Sequence, residues 1–227
     1  MKSQNSPLVI TKTQSYSLQV KLAETNAEIV ECQSLIADIY YENFGISLCD
    51  RSFKPQEKIE LYPHYYLMGL VNEELVATIG LYLYNINSQQ YARVTDREIE
   101  SVLNKDGLDL IVSSKSKREL SKFVIKKEWR NKGLGKVFLG LAHSKDFIHS
   151  IGDGSHILVN TAFSPMFKVL DSIGIASKLI KTVPSNKVYP NYYSDRPMET
   201  RITIPYFDIP SCWYHFNLPG EYIIEVN

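Results

Sequence analysis

A short basic segment, 130–136, has the residue types for binding a phosphate. Gly133 and Gly135 lack the side chains that would hold an anion away from the backbone, and the segment also carries one arginine and two lysines. Phosphates bind where unpaired backbone N–H groups meet the positive end of a helix dipole. The candidate phosphate-binding residues are Arg130, Asn131, Lys132, Gly133, Leu134, Gly135 and Lys136.

The residues on either side predict the elements that position this segment. Phe123, Val124 and Ile125 form an apolar, β-favouring run that predicts a buried strand. After the glycines, apolar residues recur at helical spacing through 134–142. A strand that turns into a helix directs several N–H groups to one side. The alternative is an ordinary strand-to-helix connection, because basic turns with glycine are common.

Known nucleotide-binding motifs are absent from the sequence. It contains no GxxxxGK[ST], and no GxGxxG followed by an acidic residue at ribose distance. The predicted turn therefore calls for another phosphate-bearing ligand.

Composition excludes several classes of protein. With 25 basic and 25 acidic residues, the 227-residue chain has no net charge to attract nucleic acid. No apolar run reaches the roughly 20 residues that span a bilayer, and the start lacks the apolar core of a secretory signal. Three scattered cysteines and five scattered histidines predict reduced thiols and no metal site. We therefore expect a cytoplasmic protein.

The order of predicted elements indicates an α/β (α+β) protein of one domain, 1–227. Residues 85–117 form an insertion with one helix, 96–103, and residues 188–227 form a C-terminal strand elaboration. The predicted strands are 17–22, 64–71, 75–84, 120–125 and 156–161, with further strands after 197; the predicted helices begin near Thr25 or Asn26, at Leu134 and at Ser164.

This order, together with the basic turn, resembles the GNAT acyltransferase superfamily. The family signature [QR]-x-x-G-x-[GA] is matched by Arg130, Gly133 and Gly135, after the lead-in FVIKKEWRNKGLG. The resemblance covers about residues 17–205 and implies a central mixed, mostly antiparallel sheet flanked by helices. It also implies that the turn holds the pyrophosphate of coenzyme A or the phosphopantetheine of an acyl carrier protein.

A narrower resemblance is to the N-acyl amino acid synthases and acyl-homoserine lactone synthases. The segment LIADIYYENFG is similar to their first helix, and RELSKFVI is similar to their E-x-S-R-F strand. Lys122 stands where that branch usually has arginine. The resemblance implies long acyl chains, often delivered by acyl carrier protein, and acylation of an amino group.

Acyl transfer from a thioester to an amine needs an oxyanion donor and a base. The resemblance implies that main-chain groups of Phe123, Val124 and Ile125 polarise the carbonyl and pair with pantetheine. Glu119 is the candidate base, because a carboxylate at the rim of an apolar cleft has a raised pKa. Alternation places Glu119 on one face with Ser121 and Phe123. The other interpretation is a structural ion pair with Lys122 or Arg118.

Two positions refine the expected site. Asn160, at the end of the fifth predicted strand, matches family residues that bind pantetheine, or it simply ends the strand. Leu170 stands where many GNAT proteins have the tyrosine that protonates the leaving thiolate. Water or another tyrosine would then supply that proton, with Tyr189, Tyr192 and Tyr193 as candidates.

The sequence therefore predicts an N-acyltransferase that moves an acyl group from acyl-CoA or an acyl carrier protein to the amine of a small molecule, with an amino acid as one candidate. No metal, nucleic acid or membrane span is expected. One rival is a non-catalytic acyl-CoA-binding module, which would explain Leu170. The other is a GNAT-like decarboxylase or acyl-loading component of a biosynthetic assembly line.

Overall fold

A computed structural model of the protein describes residues 14–45, 63, 65–83, 96–105, 117–144, 157–185, 197–203 and 220–226. The strands are β1 (Gln14–Leu22), β2 (Tyr65–Val71), β3 (Glu74–Leu83), β4 (Lys117–Ile125), β5 (Ile157–Phe163), β6 (Ser177–Val183), β7 (Met198–Thr203) and β8 (Gly220–Val226). The α-helices are α1 (Asn26–Phe44), α2 (Asp96–Lys105), α3 (Leu134–Ala142) and α4 (Ser164–Ser172), and Lys127–Trp129 forms one 3₁₀ turn.

The eight described strands form one mixed sheet in the order β6-β7-β5-β4-β3-β2-β1-β8. Only β4 and β5 are parallel among these neighbours, and the other pairs are antiparallel. This confirms the predicted mixed, mostly antiparallel sheet flanked by helices. The helix expected in the insertion is present as α2.

Helix α1 begins at Asn26, as the sequence predicts, and has a local cap at each end. Thr25 and Glu28 form a capping box, in which each side chain bonds the other residue's backbone N–H. Gly45 ends the helix in the left-handed conformation, with φ 63°. Between these caps, α1 buries one face against the sheet, including Cys32, Ile36 and Tyr40.

The helices cover the two faces of the sheet. Helices α3 and α4 pack over the main core, where Phe138, Phe167 and Leu170 are almost completely buried. Helix α1 covers the opposite face, because Tyr66 and Met68 pack with it while the intervening Leu67 joins the main core. Helix α2 covers the same opposite face, where it packs on alternate residues of β5. Each face of β2 is therefore buried, which suits a strand near the middle of a two-sided sheet.

A bulge in β4 reverses the direction of its side chains. Ser121 pairs with Gly80 and Val124 with Thr78, so Lys122 and Phe123 both lie opposite Ile79. Lys122 accommodates the bulge with φ 56°. The expectation that Phe123 shares a face with Glu119 and Ser121 is therefore wrong, because strict alternation does not continue through a bulge.

Strand β6 was missed by the sequence analysis. Its residues, SKLIKTV, are half-buried or exposed except for Val183, so the segment has neither clear alternation nor a continuous apolar run. It forms an edge strand that pairs with β7. Lys181 of β6 also contacts Glu98 of α2 at 3.2 Å.

Candidate active site

A wedge-shaped cavity opens where β4 and β5 separate. The strands pair only from Lys117 opposite Ile157 to Leu120 opposite Asn160. Beyond Leu120, the edge of β4 that faces β5 has no strand partner in the described part of the chain. The resulting cavity has a volume of about 340 Å³. Its polar or ionisable lining residues are Tyr40, Asn43, Ser121, Lys122, Arg130, Asn160 and Thr161.

The predicted phosphate-binding turn follows directly from this strand. Arg130 lines the cavity and donates from Nε to the carbonyl of Ile125 at 3.0 Å. Its Nη1 also lies 3.4 Å from Oδ1 of Asn43, and Asn43 in turn donates to the carbonyl of Ile39. Arg130 thus ties the turn both to the end of β4 and to helix α1.

A second set of contacts holds the other side of the turn. The Tyr16 hydroxyl donates to the carbonyl of Lys132, and its ring lies edge-on to Trp129 with 5.0 Å between centroids. Lys132 in turn places Nζ 4.6 Å from the Trp129 ring centroid. These contacts hold the turn through a carbonyl and side chains, and they use none of its N–H groups.

The N-terminus of α3 is open. Gly133 precedes the helix with φ 83°, a conformation that favours glycine, and no side chain caps the helix there. Within the described chain, the N–H groups of Leu134 and Gly135 have no hydrogen-bond partner. A Cβ on Gly135 would meet only Ile125 Cδ1, at 4.0 Å. The protein thus leaves donors and space where an anion would bind.

An ionisable pair, Glu119 and Lys122, lies at the α1 side of the wedge. Lys122 lines the cavity at 2% exposure, with Nζ 4.8 Å from the centroid of the Tyr40 ring. Burial lowers the pKa of Lys122 to about 8, and the Glu119 charge opposes this change. Burial raises the pKa of Glu119 to about 7, opposed by the Lys122 charge. Two interacting groups with pKa values near neutrality, one of which lines a cleft, are typical of acid–base sites.

The structure brings together part of the predicted set of residues. Phe123, Val124, Ile125, Arg130 and Asn160 line the cavity. Residues 131–136 are not among the lining residues and follow Arg130 directly along the chain. Glu119 is not a lining residue, although it lies in electrostatic contact with Lys122, which is.

Position 170, where many GNAT proteins carry a tyrosine as general acid, also lies away from the cavity in this structure. Leu170 is fully buried in the main core and does not line the cavity, whereas Met166 of the same helix does. Tyr189, Tyr192 and Tyr193 lie outside the described residues, as do Cys49 and Cys212.

Sequence reasoning missed Lys122 and Tyr40 as residues of the cavity. Lys122 was considered as a replacement for arginine and as an ion-pair partner of Glu119, and its direction depends on a backbone φ that the sequence does not reveal. A lysine directly before the apolar run Phe123–Ile125 was the available signal. Tyr40 lies on the apolar stripe of α1, which predicts core packing as readily as a cleft.

The architecture is that of the GNAT fold. No protein-family model and no curated protein sequence matches the chain. Solved structures are similar in fold, and three of them come from the two predicted branches. At 10–14% identity this similarity concerns the fold, and it confirms the predicted one.

The first of these three is BjaI, a CoA-dependent acyl-homoserine lactone synthase solved with SAM and isopentyl-CoA. It has a TM-score of 0.56 at 12% identity, over 86% of this chain and 85% of its own. The N-acyl amino acid synthase FeeM, from uncultured soil microbes, has a TM-score of 0.51 at 10% identity, covering 83% and 91%. The acyl-homoserine lactone synthase LasI has a TM-score of 0.50 at 14% identity, covering 84% and 91%.

Two features are absent from the described residues. No helix among them has the length and apolarity to cross a membrane. No group of three or more His, Cys, Asp or Glu among them is placed to hold a metal ion.

Proposed function

We propose that this protein is an N-acyltransferase, which moves an acyl group from the thioester of acyl-CoA or an acyl carrier protein to the amine of a small molecule, an amino acid being the first candidate. One observation carries the proposal: over residues 121–125 the edge of β4 has no strand partner among the described residues, and residues 126–133 lead from it to a helix N-terminus without a side-chain cap. An extended ligand with a phosphate at one end fits this pair of features.

The strand edge would hold pantetheine, because an extended chain containing amides can pair with a free sheet edge. The turn 130–136 would bind the phosphates through its N–H groups and its basic side chains. Among Phe123, Val124 and Ile125, the main-chain N–H groups that point to this open edge are then the candidates that stabilise the developing oxyanion.

Glu119 and Lys122 divide the proton transfers. The neutral amine of the acceptor attacks the thioester carbonyl, the C–N bond forms and the C–S bond breaks. Glu119 takes the amine proton through water, because it does not line the cavity itself. Lys122 protonates the departing thiolate, whose ordinary pKa of about 8.5 is close to that of this lysine. Proton return from Glu119 to Lys122 restores both groups, so Lys122 replaces the missing tyrosine acid.

The proposal is tested by measuring acyl transfer directly. The purified protein is mixed with acetyl-, octanoyl- or palmitoyl-CoA, or with the same acyl chains on carrier protein, in the presence of amino acids. Thiol release and the acylated product are measured together by absorbance and mass spectrometry. We expect equal amounts of thiol and N-acyl product.

The rivals give other results. Donor binding without thiol release for any amine would favour the non-catalytic module. Reaction with loaded carrier protein in the absence of an acceptor would favour the decarboxylase or acyl-loading component. A protein that binds none of these donors would contradict the proposal.

A further inference from the structure

A buried histidine stands directly behind Asn160. His143 follows helix α3 and is completely buried, and Asn160 is 1% exposed at the last paired position of β5 before the wedge opens. The histidine Nδ1 lies 2.7 Å from the carbonyl of Leu139, and its Nε2 lies 3.5 Å from Nδ2 of Asn160. The two side chains thus form a chain of hydrogen bonds from a helix carbonyl to the cavity wall.

The chemistry of the groups determines which is donor and which is acceptor in each of these two hydrogen bonds. A carbonyl oxygen only accepts, so Nδ1 must carry a proton. In a neutral imidazole, Nε2 is then an acceptor and requires a donor opposite it. Only the amide nitrogen of Asn160 can satisfy it, because the amide oxygen would place two acceptors face to face. Burial lowers the pKa of His143 to about 4, which keeps the ring neutral near pH 7.

We propose that His143 is a positioning residue that orients the Asn160 amide, so that its oxygen is presented to the cavity as a hydrogen-bond acceptor. The ligand group that reaches the apex of the wedge must therefore be a donor. Within the function proposed above, on which this inference rests, that donor is an amide N–H of pantetheine. Specificity for pantetheine would then depend on a residue that does not contact it.

The test compares two ligands by calorimetry. Coenzyme A contains the pantetheine amides, whereas adenosine 3′,5′-bisphosphate has phosphates but no pantetheine. We expect His143→Phe, which keeps the ring and removes both hydrogen bonds, to weaken binding of coenzyme A about tenfold, the effect of one lost hydrogen bond. Binding of the bisphosphate should stay unchanged. His143→Gln, whose amide can still face Asn160, should recover part of the loss.

A second comparison shows whether His143 acts through Asn160. Asn160→Leu should cause a similar loss for coenzyme A, and the double variant with His143→Phe should lose no more than either single variant. Independent, additive losses would overturn the proposal. Equal losses for both ligands would overturn it too, because they would indicate a general structural role.

A third measurement does not depend on the folding of any variant. Nitrogen-15 NMR of the wild-type protein should show His143 as the neutral tautomer with the proton on Nδ1. A proton on Nε2 would overturn the inference, whatever the protein does with acyl donors. A wild-type protein that binds neither ligand would overturn the proposed function, whereas the wrong tautomer would overturn the inference about His143. The two failures are therefore distinguishable.

Discussion

Lys122 and Tyr40 meet at the α1 side of the cavity, with the lysine ammonium 4.8 Å from the centre of the tyrosine ring. Lys122 reaches this position because the β4 bulge turns it away from its neighbour Phe123. Phe123 instead stacks on Phe138 in the main core, with ring centroids 6.2 Å apart. A single irregular residue thus places an ionisable group in an otherwise largely apolar cleft.

The pH dependence of transfer is the first prediction. Glu119 must be deprotonated to act as a base, so the rate should fall as the pH drops below about 7. Lys122 must be protonated to act as an acid, so the rate should fall as the pH rises above about 8. The profile of kcat/KM against pH should therefore be a narrow bell, whose two limbs belong to the coupled pair.

Variants of this pair separate the two limbs. Glu119→Gln should lower kcat by about 10²- to 10⁴-fold, the usual size of a general-base contribution. Lys122→Arg keeps the positive charge but cannot release a proton near pH 8, so the alkaline limb should disappear along with much of the rate. An unchanged profile in both variants would exclude the pair from proton transfer.

The second prediction concerns charge at the phosphate-binding turn. Gly133→Asp and Gly133→Asn have nearly the same shape, and both types of residue tolerate the left-handed backbone better than most. They differ in charge, so any difference between them reports electrostatics rather than strain. Gly133→Asp should bind coenzyme A at least tenfold more weakly than Gly133→Asn, with the difference shrinking at high salt. Equal affinities, measured by calorimetry, would show that the phosphates bind elsewhere.

The third prediction concerns stability at acidic pH. Burial depresses the pKa of His143 in the folded protein to about 4, below the value of about 6.5 expected when unfolded. Between these values the unfolded state binds the extra proton, so the free energy of unfolding falls as pH decreases from 6.5 to 4. The contribution of His143 to the free energy of unfolding is fully present above pH 6.5, and at most about 3 kcal/mol of it is lost by pH 4.

Denaturant unfolding at several pH values, with His143→Gln as the reference, measures this contribution. Acidic residues titrate in both proteins, so the difference between the two curves isolates the histidine. Parallel curves from pH 6.5 to 4 would mean that His143 is not protected from protonation in the folded state.

The fourth prediction tests the packing that supports β4. A Cβ on Gly69 would lie 2.2 Å from Cζ of Phe138, which is completely buried. Gly69→Ala should therefore lower the free energy of unfolding by about 1–3 kcal/mol, the usual cost of overpacking. Adding Phe138→Leu should cost less in this background than in the wild type, because the smaller side chain relieves the clash.

Gly45→Ala is the matched control for this experiment. Nothing lies within 4 Å of a Cβ at Gly45, but its φ of 63° disfavours any other residue, so a loss of about 1–2 kcal/mol is expected from the backbone alone. Phe138→Leu should not reduce that loss. If it rescues both variants equally, the contact between Gly69 and Phe138 is not the cause.

Local signals in the sequence were sufficient for most of the elements. The Thr25–Glu28 capping box and Gly45 delimit α1, and the change from strand to helical spacing after Ile125 predicts both β4 and α3. These features depend on residues within a few positions of one another, and so a single segment carries the information. Strand β6 lacked such a signal, because an edge strand is stabilised by its partner rather than by its own pattern.

The sequence by itself thus determined the order of most elements, with β6 as an exception, and the composition of the basic turn. Tertiary structure alone decided which side chains face the cavity. The bulge at Lys122 depends on how β4 pairs with β3, the wedge depends on where β4 and β5 separate, and the contact of His143 with Asn160 joins residues 17 positions apart. Each results from competition among long-range packing contacts, which no local pattern records.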